Sequence, residues 1–155
     1  MSKLKKVQDS VDNIVMEQDT NSKIRDGFVH LYSVSNFCTL LAKKRDLDME
    51  LCSICGLLHD IYKYRTGKSK DHAALGSIDS RKILGELKIF SSNEIDTICN
   101  AIYKHSDKEK IDGPYDEMLK DSDVLAHYFY DTSAKVDDNE LSRLSSLLNE
   151  LDLTE

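Results

Sequence analysis

The stretch LCSICGLLHD (residues 51–60) decides the fold, because a run of apolar and small residues ends directly in a histidine and an aspartate. On a helical wheel of residues 51–63, the large apolar side chains fill a wide arc. A helix this apolar is expected to be buried almost all round, so that its narrower polar arc faces a pocket rather than bulk water. That narrower arc holds Cys52, Ser53, Gly56, His59, Asp60 and Lys63.

His59 and Asp60 stand where an ionisable side chain costs free energy unless something pairs with it. A divalent metal would do so, since imidazole nitrogen and carboxylate oxygen are good ligands for first-row metals. A neighbouring His and Asp occur by chance in many proteins. The metal hypothesis therefore depends on further ligands elsewhere in the chain.

The composition is that of one soluble globular domain built from helices. The 155 residues are 40% hydrophobic and 32% charged. One Pro and six Gly provide few turn-forming residues, which favours long helices over many short strands. The net charge of −7 argues against a general nucleic-acid surface or an anionic membrane surface. It is compatible with a small phosphorylated substrate, whose charge can be met locally.

The first residues lack the apolar core of a signal peptide, and no run reaches the length of a membrane span. We therefore expect a cytoplasmic protein whose four cysteines are reduced. Cys52 and Cys55 form a CxxC pair inside the apolar segment. Core packing is the favoured interpretation of this pair, and a redox or zinc role is the alternative.

Hydrophobic periodicity predicts about seven helices and no sheet. Asp48 is the expected N-cap of the central helix, and Ser91 and Glu94 have capping-box spacing. Polar loops are expected at 19–27, 63–71 and 107–113. The predicted helices cover 7–20, 28–45, 48–62, 71–87, 91–105, 114–130 and 138–152.

Four more metal-competent side chains lie on the apolar faces of other predicted helices. They are His30, His72, His105 and Asp123. A satisfied core histidine is the usual explanation for one such residue. It is a poor explanation for all of them together, and helical bundles commonly build metal sites in this way. For His127, one turn after Asp123, a supporting role at the site and a partly exposed helix histidine are both open.

The order His30, His59-Asp60, Asp123 resembles the HD superfamily of metal-dependent phosphohydrolases. The resemblance spans residues 28–131 and includes LLHDIYK (57–63), DHAALG (71–76), AIYKHS (101–106) and KDSDVLA (120–126). It implies a compact all-α HD-domain bundle, here a single domain over 1–155 with core 28–131 and a C-terminal amphipathic helix at 138–152. It also implies that one metal is held by His30, His59, Asp60 and Asp123, and that Asp60 bridges to a second metal held by His72 and His105.

Ser106 follows His105 where the cyclic-dinucleotide subgroup typically has a second His, and that subgroup's GYP signature is missing. The resemblance therefore speaks against cyclic di-GMP hydrolysis. The His-Ser pattern and the lysine after HD look more like dinuclear members that cleave symmetrical dinucleoside polyphosphates.

The leading hypothesis is hydrolysis of a phosphoester or phosphoanhydride bond, in a nucleotide, by a metal-bound hydroxide. The implied cofactors are one or two divalent ions among Fe, Mn, Ni, Co, Zn and Mg. Asp60 and Lys63 would be catalytic, and Lys63 and Arg65 would contact substrate phosphate, although the basic loop that contains Arg65 could also be plain solvated surface.

Two other hypotheses stay open, a non-catalytic sensor that binds a metal or nucleotide and a purely structural helical domain. The leucines of residues 141–151 could pack on the domain or form a homodimer.

Overall fold

A computed structural model describes residues 1–154, and this part of the chain forms eight helices and no strand. The prediction of an all-α bundle is confirmed. Glu155, the last residue of the predicted domain, lies outside the described residues. The helices are α1 (Lys3–Met16), α2 (Asn21–Lys44), α3 (Met49–Leu58), α4 (Ile61–Thr66), α5 (His72–Leu87), α6 (Ser92–Lys104), α7 (Pro114–Tyr130) and α8 (Asp138–Glu150).

The predicted helix over 48–62 is wrong in one respect, because it breaks at His59 and Asp60. Asp60 has φ −110° and ψ 14°, outside helical geometry, so α3 ends at Leu58 and α4 begins at Ile61. Two loop predictions also fail at one end. Residues 63–66 belong to α4, and α2 begins at Asn21 because the Thr20 hydroxyl caps it by accepting from the Lys23 N–H.

One apolar cluster contains buried residues from all eight helices of the described chain. Within it, α3 packs against α2 at Gly56, where an added Cβ would lie 2.6 Å from the Ser35 backbone. The Ser35 hydroxyl also donates to the Ser53 carbonyl oxygen at 2.9 Å. The small residues of the central helix therefore admit another helix, and this close approach sets α2 beside the end of α3.

All four cysteines are buried free thiols, which confirms the core-packing interpretation of the CxxC pair. Burial raises the pKa of Cys52 to about 12, so its thiolate is disfavoured. The leucines of α8 pack on the domain as well: Leu144 and Leu147 are buried in the common cluster, whereas Leu141 is exposed.

Within residues 1–154 we find no helix long and apolar enough to span a bilayer.

Candidate metal centre

The first group of side chains meets where α2, the α3–α4 junction and α7 come together. His30 Nε2 lies 3.0 Å from His59 Nε2, and these two nitrogens lie 3.4 and 3.6 Å from Asp60 Oδ2. Asp123 Oδ1 lies 3.6 Å from His30 Nε2 and 3.5 Å from His59 Nε2. Two ligands about 2.1 Å from one ion lie about 3.0 Å apart at a right angle and about 3.4 Å apart at the tetrahedral angle. The spacing therefore fits a shared ion.

The second group uses the other oxygen of Asp60. Asp60 Oδ1 lies 3.4 Å from His72 Nε2 and 3.4 Å from His105 Nε2. The two imidazole nitrogens are 3.3 Å apart. His72 is the first residue of α5, and His105 is the C-cap of α6. The carboxylate of Asp60 thus stands between two sets of imidazoles, one at each oxygen.

Three histidine rings are oriented by hydrogen bonds to backbone carbonyl oxygens. Nδ1 donates from His59 to Gly56, from His72 to Ser69 and from His105 to Ile102, at 2.7, 3.0 and 2.6 Å. Placing the proton on Nδ1 leaves the Nε2 lone pair free, as a metal ligand requires. Burial lowers the pKa of His72 and of His105, which favours the same neutral form.

Two carboxylate oxygens provide a direct test of whether the cluster suits a cation. Asp60 Oδ1 and Asp123 Oδ1 are buried and have no hydrogen-bond donor within residues 1–154. Burial raises the pKa of each carboxyl, but the imidazoles of His59 and His105 around Asp60, and the ammonium of Lys108 beside Asp123, outweigh that effect and keep both pKa values low. Buried anionic oxygens without donors are what a divalent ion would satisfy, so the residues fit a metal.

Lys63 stands at the edge of the cluster, with Nζ 2.7 Å from Asp60 Oδ2 and about one third of its side chain exposed. The structure thus places it beside a candidate ligand and within reach of solvent. Arg65 is not brought to the cluster. Its guanidinium donates two hydrogen bonds to the carboxylate of Asp79 on α5, at 2.9 and 3.0 Å, so its substrate role stays a prediction.

Lys108 is a residue of the centre that the sequence did not single out. Its side chain is only 5% exposed, and Nζ donates to Asp123 Oδ2 at 2.6 Å and to the His105 carbonyl oxygen at 2.7 Å. It therefore joins a ligand of the first group to a ligand of the second. It lies in the predicted loop at 107–113, and no feature of the sequence distinguishes it from the lysines around it.

His127 also reaches the centre. Its Nε2 lies 3.3 Å from Asp123 Oδ1, and its Nδ1 lies 3.2 Å from Glu140 Oε1 of α8. The hydrogen bond with Glu140 raises the pKa of His127, against the opposing effect of burial. Glu140 is another residue that sequence reasoning missed, since a glutamate in the first turn of a helix is expected to serve only that helix.

Two cavities open next to the cluster, one beside each group. A cavity of about 340 Å³ is lined by His30 and His127 together with Asp26 and Tyr64. A second one, of about 410 Å³, is lined by His72 with Tyr103, Lys104 and Lys110 at its wall. Both groups of candidate ligands are therefore accessible to a small molecule.

A family model described as HD domain matches residues 27–147, most of the chain. No curated protein and no solved structure matches the chain significantly.

Proposed function

Because this chain belongs to the HD domain family, whose members are typically metal-dependent hydrolases, we propose that it is a metal-dependent phosphohydrolase acting on a phosphorylated small molecule. The proposed reaction is cleavage of a phosphoester or phosphoanhydride bond, with a nucleotide as the preferred substrate. Membership of the family alone leaves both the activity and the substrate open, so the proposal depends on the chemistry of the centre.

The main support for the proposal is that the two carboxylate oxygens of Asp60 face different pairs of imidazoles. Oδ2 lies within 3.6 Å of the nitrogens of His30 and His59, and Oδ1 within 3.4 Å of those of His72 and His105. A carboxylate in this position suits a bridge between two ions, with Asp123 completing the first set. Four imidazoles and two carboxylates are ligands for Mn, Fe, Co, Ni or Zn, and Mg is less well matched.

Divalent ions held there would supply a nucleophilic water at neutral pH and offset the charge of the phosphoryl group. Two lysines of the chain would bind the substrate phosphate and hold a ligand in position. Lys63 presents a partly exposed ammonium next to Asp60, where it can bind a phosphate oxygen. Lys108 holds Asp123 in place through its buried ammonium. Substrate would enter through one of the two cavities that flank the centre.

Two expectations accompany the proposal. A nucleotide substrate and reduced thiols agree with a cytoplasmic location, which stays a prediction. A homodimer also stays a prediction. The buried leucines of α8 pack within their own chain and give it no support.

The test is a panel of nucleotides and other phosphate esters, assayed for phosphate release with Mn, Fe, Ni, Co, Zn and Mg in turn. We expect turnover with at least one first-row metal, and we expect Asp60→Ala to abolish turnover and to deplete bound metal, because it removes a ligand of both ions. The control is Asp96→Ala, an exposed aspartate on α6 that pairs with Arg81. Nucleotide binding without phosphate release from any ester would support the sensor hypothesis instead.

A further inference from the structure

We propose that His127 is a further ligand of the first metal ion, positioned for that role by Glu140 of α8. The inference rests on the proposed metal centre and adds a residue to it. One ligand atom each from His30, Asp123 and His127 can be chosen so that all three lie within 4.8 Å of one another. His127 Nε2 and His30 Nε2 approach the same oxygen, Asp123 Oδ1, at 3.3 and 3.6 Å.

The orientation of the His127 ring follows the rule already seen for the other histidines of the centre. Each of His59, His72 and His105 holds Nδ1 on an acceptor and turns Nε2 towards a site carboxylate. His127 does the same, with Nδ1 on the carboxylate of Glu140 and Nε2 towards Asp123. A carboxylate is a stronger acceptor than a carbonyl oxygen and makes the imidazole a better ligand.

Glu140 is itself buried, with a side chain only 10% exposed. His127 is the side chain with which the structure pairs it, at 3.2 and 3.4 Å from its two oxygens. A buried carboxylate needs such a partner, so the ring of His127 is held firmly although almost half of its side chain is exposed. Its position at the wall of the 340 Å³ cavity places it on the solvent side of the first group.

The ring of His127 lies almost parallel to the ring of His30, at 11° and with 5.5 Å between centroids. The two imidazoles thus stand side by side over one carboxylate oxygen. With His127 included, the first ion would have three imidazoles and two carboxylates as ligands. Such a nitrogen-rich set favours Co, Ni, Zn or Fe over Mg.

The competing explanation is a structural ion pair, in which His127 only joins α7 to α8 through Asp123 and Glu140. Cobalt distinguishes the two explanations, since its visible absorption reports the number and type of its ligands. We would titrate Co²⁺ into the metal-free protein, following the absorption spectrum and the heat of binding. The variants are His127→Ala, His127→Gln and Glu140→Gln, with Tyr130→Ala as an exposed control on the same helix.

For a ligand, we expect His127→Ala and His127→Gln to weaken binding of the first Co²⁺ at least tenfold and to shift its absorption band. Glu140→Gln should weaken binding less, and Tyr130→Ala should change neither quantity. His127→Gln keeps a polar side chain beside Glu140, which guards against loss of folding. Wild-type affinity and spectrum in both His127 variants would overturn the inference and leave the proposed function intact. Failure of the wild-type protein to bind Co²⁺ would instead overturn the metal centre and this inference together.

Discussion

At the scale of single residues, Lys108 offers the sharpest test of how the centre is held together. Its ammonium is buried between the Asp123 carboxylate and the His105 carbonyl oxygen. Lys108→Met removes the charge and leaves both acceptors without it. We expect the free energy of unfolding of the metal-free protein to fall by about 3 kcal/mol, the usual cost of breaking a buried pair on one side.

Urea denaturation with and without a saturating divalent metal measures this effect. A bound cation beside Asp123 would replace part of the missing positive charge, so metal should stabilise Lys108→Met more than the wild type. Lys110→Met is the control, because Lys110 lies in the same loop with 67% of its side chain exposed. Equal stability of Lys108→Met and wild type without metal would show that Lys108 does not hold Asp123.

The sequence could predict the inward-facing candidate ligands, but it could not predict Lys108 and Glu140, the residues that hold those ligands in place. His30 and Asp123 lie on apolar faces of long helices and His105 follows the last residue of α6, so that helical periodicity predicts their direction towards the core. Lys108 lies in a loop, where helical periodicity predicts no direction for a side chain, and lysine is among the residue types least expected to be buried. Glu140 meets His127 only because α8 folds back onto α7, which is a tertiary contact without a local signal.

At the scale of secondary-structure elements, the distance between α2 and α3 fixes the distance between His30 and His59. Gly56→Ala should disturb it, because the added Cβ would lie 2.6 Å from Ser35 backbone atoms. Overpacking of this kind costs about 1–3 kcal/mol. We expect a less stable protein with weaker metal binding, measured by urea denaturation and by Co²⁺ titration.

Gly85→Ala is the matched control, since Gly85 lies in α5 and an added Cβ there meets nothing within 4 Å. The free energy of unfolding of that variant should rise by up to about 1 kcal/mol, because alanine restricts the conformations of the unfolded chain. If Gly56→Ala were as stable as wild type and bound Co²⁺ equally well, then α2 and α3 could separate without cost to the centre.

The elements also show where prediction from periodicity stops. Pro114 begins α7 as expected, and Ser91 and Glu94 form the predicted capping box of α6. Both starts are encoded by local chemistry. The break between α3 and α4 is not, because the apolar residues on either side of His59 and Asp60 keep the spacing of one continuous helix. The backbone of Asp60 is not helical, and its carboxylate lies between two sets of imidazoles. These are tertiary contacts, which the local sequence does not encode.

At the scale of the whole molecule, the candidate ligands tie together α2, the α3–α4 junction, α5, α6 and α7. An ion bound to residues so far apart in sequence binds the folded chain and not the unfolded one. Its binding free energy therefore adds to stability, by about 2.7 kcal/mol when the free metal is at 100 times its dissociation constant. For a chain of this size that corresponds to a rise in Tm of about 5–10 °C.

Thermal unfolding followed by circular dichroism, after chelation and after addition of Mn²⁺ or Co²⁺, measures that rise. His59→Ala should abolish most of it, because His59 is fully buried and central to the first group. His72→Ala should abolish only the part due to the second ion, since His72 is a ligand candidate of that group alone. A Tm that did not respond to metal in the wild type would mean that the five elements are held by their apolar core and hydrogen bonds without help from an ion.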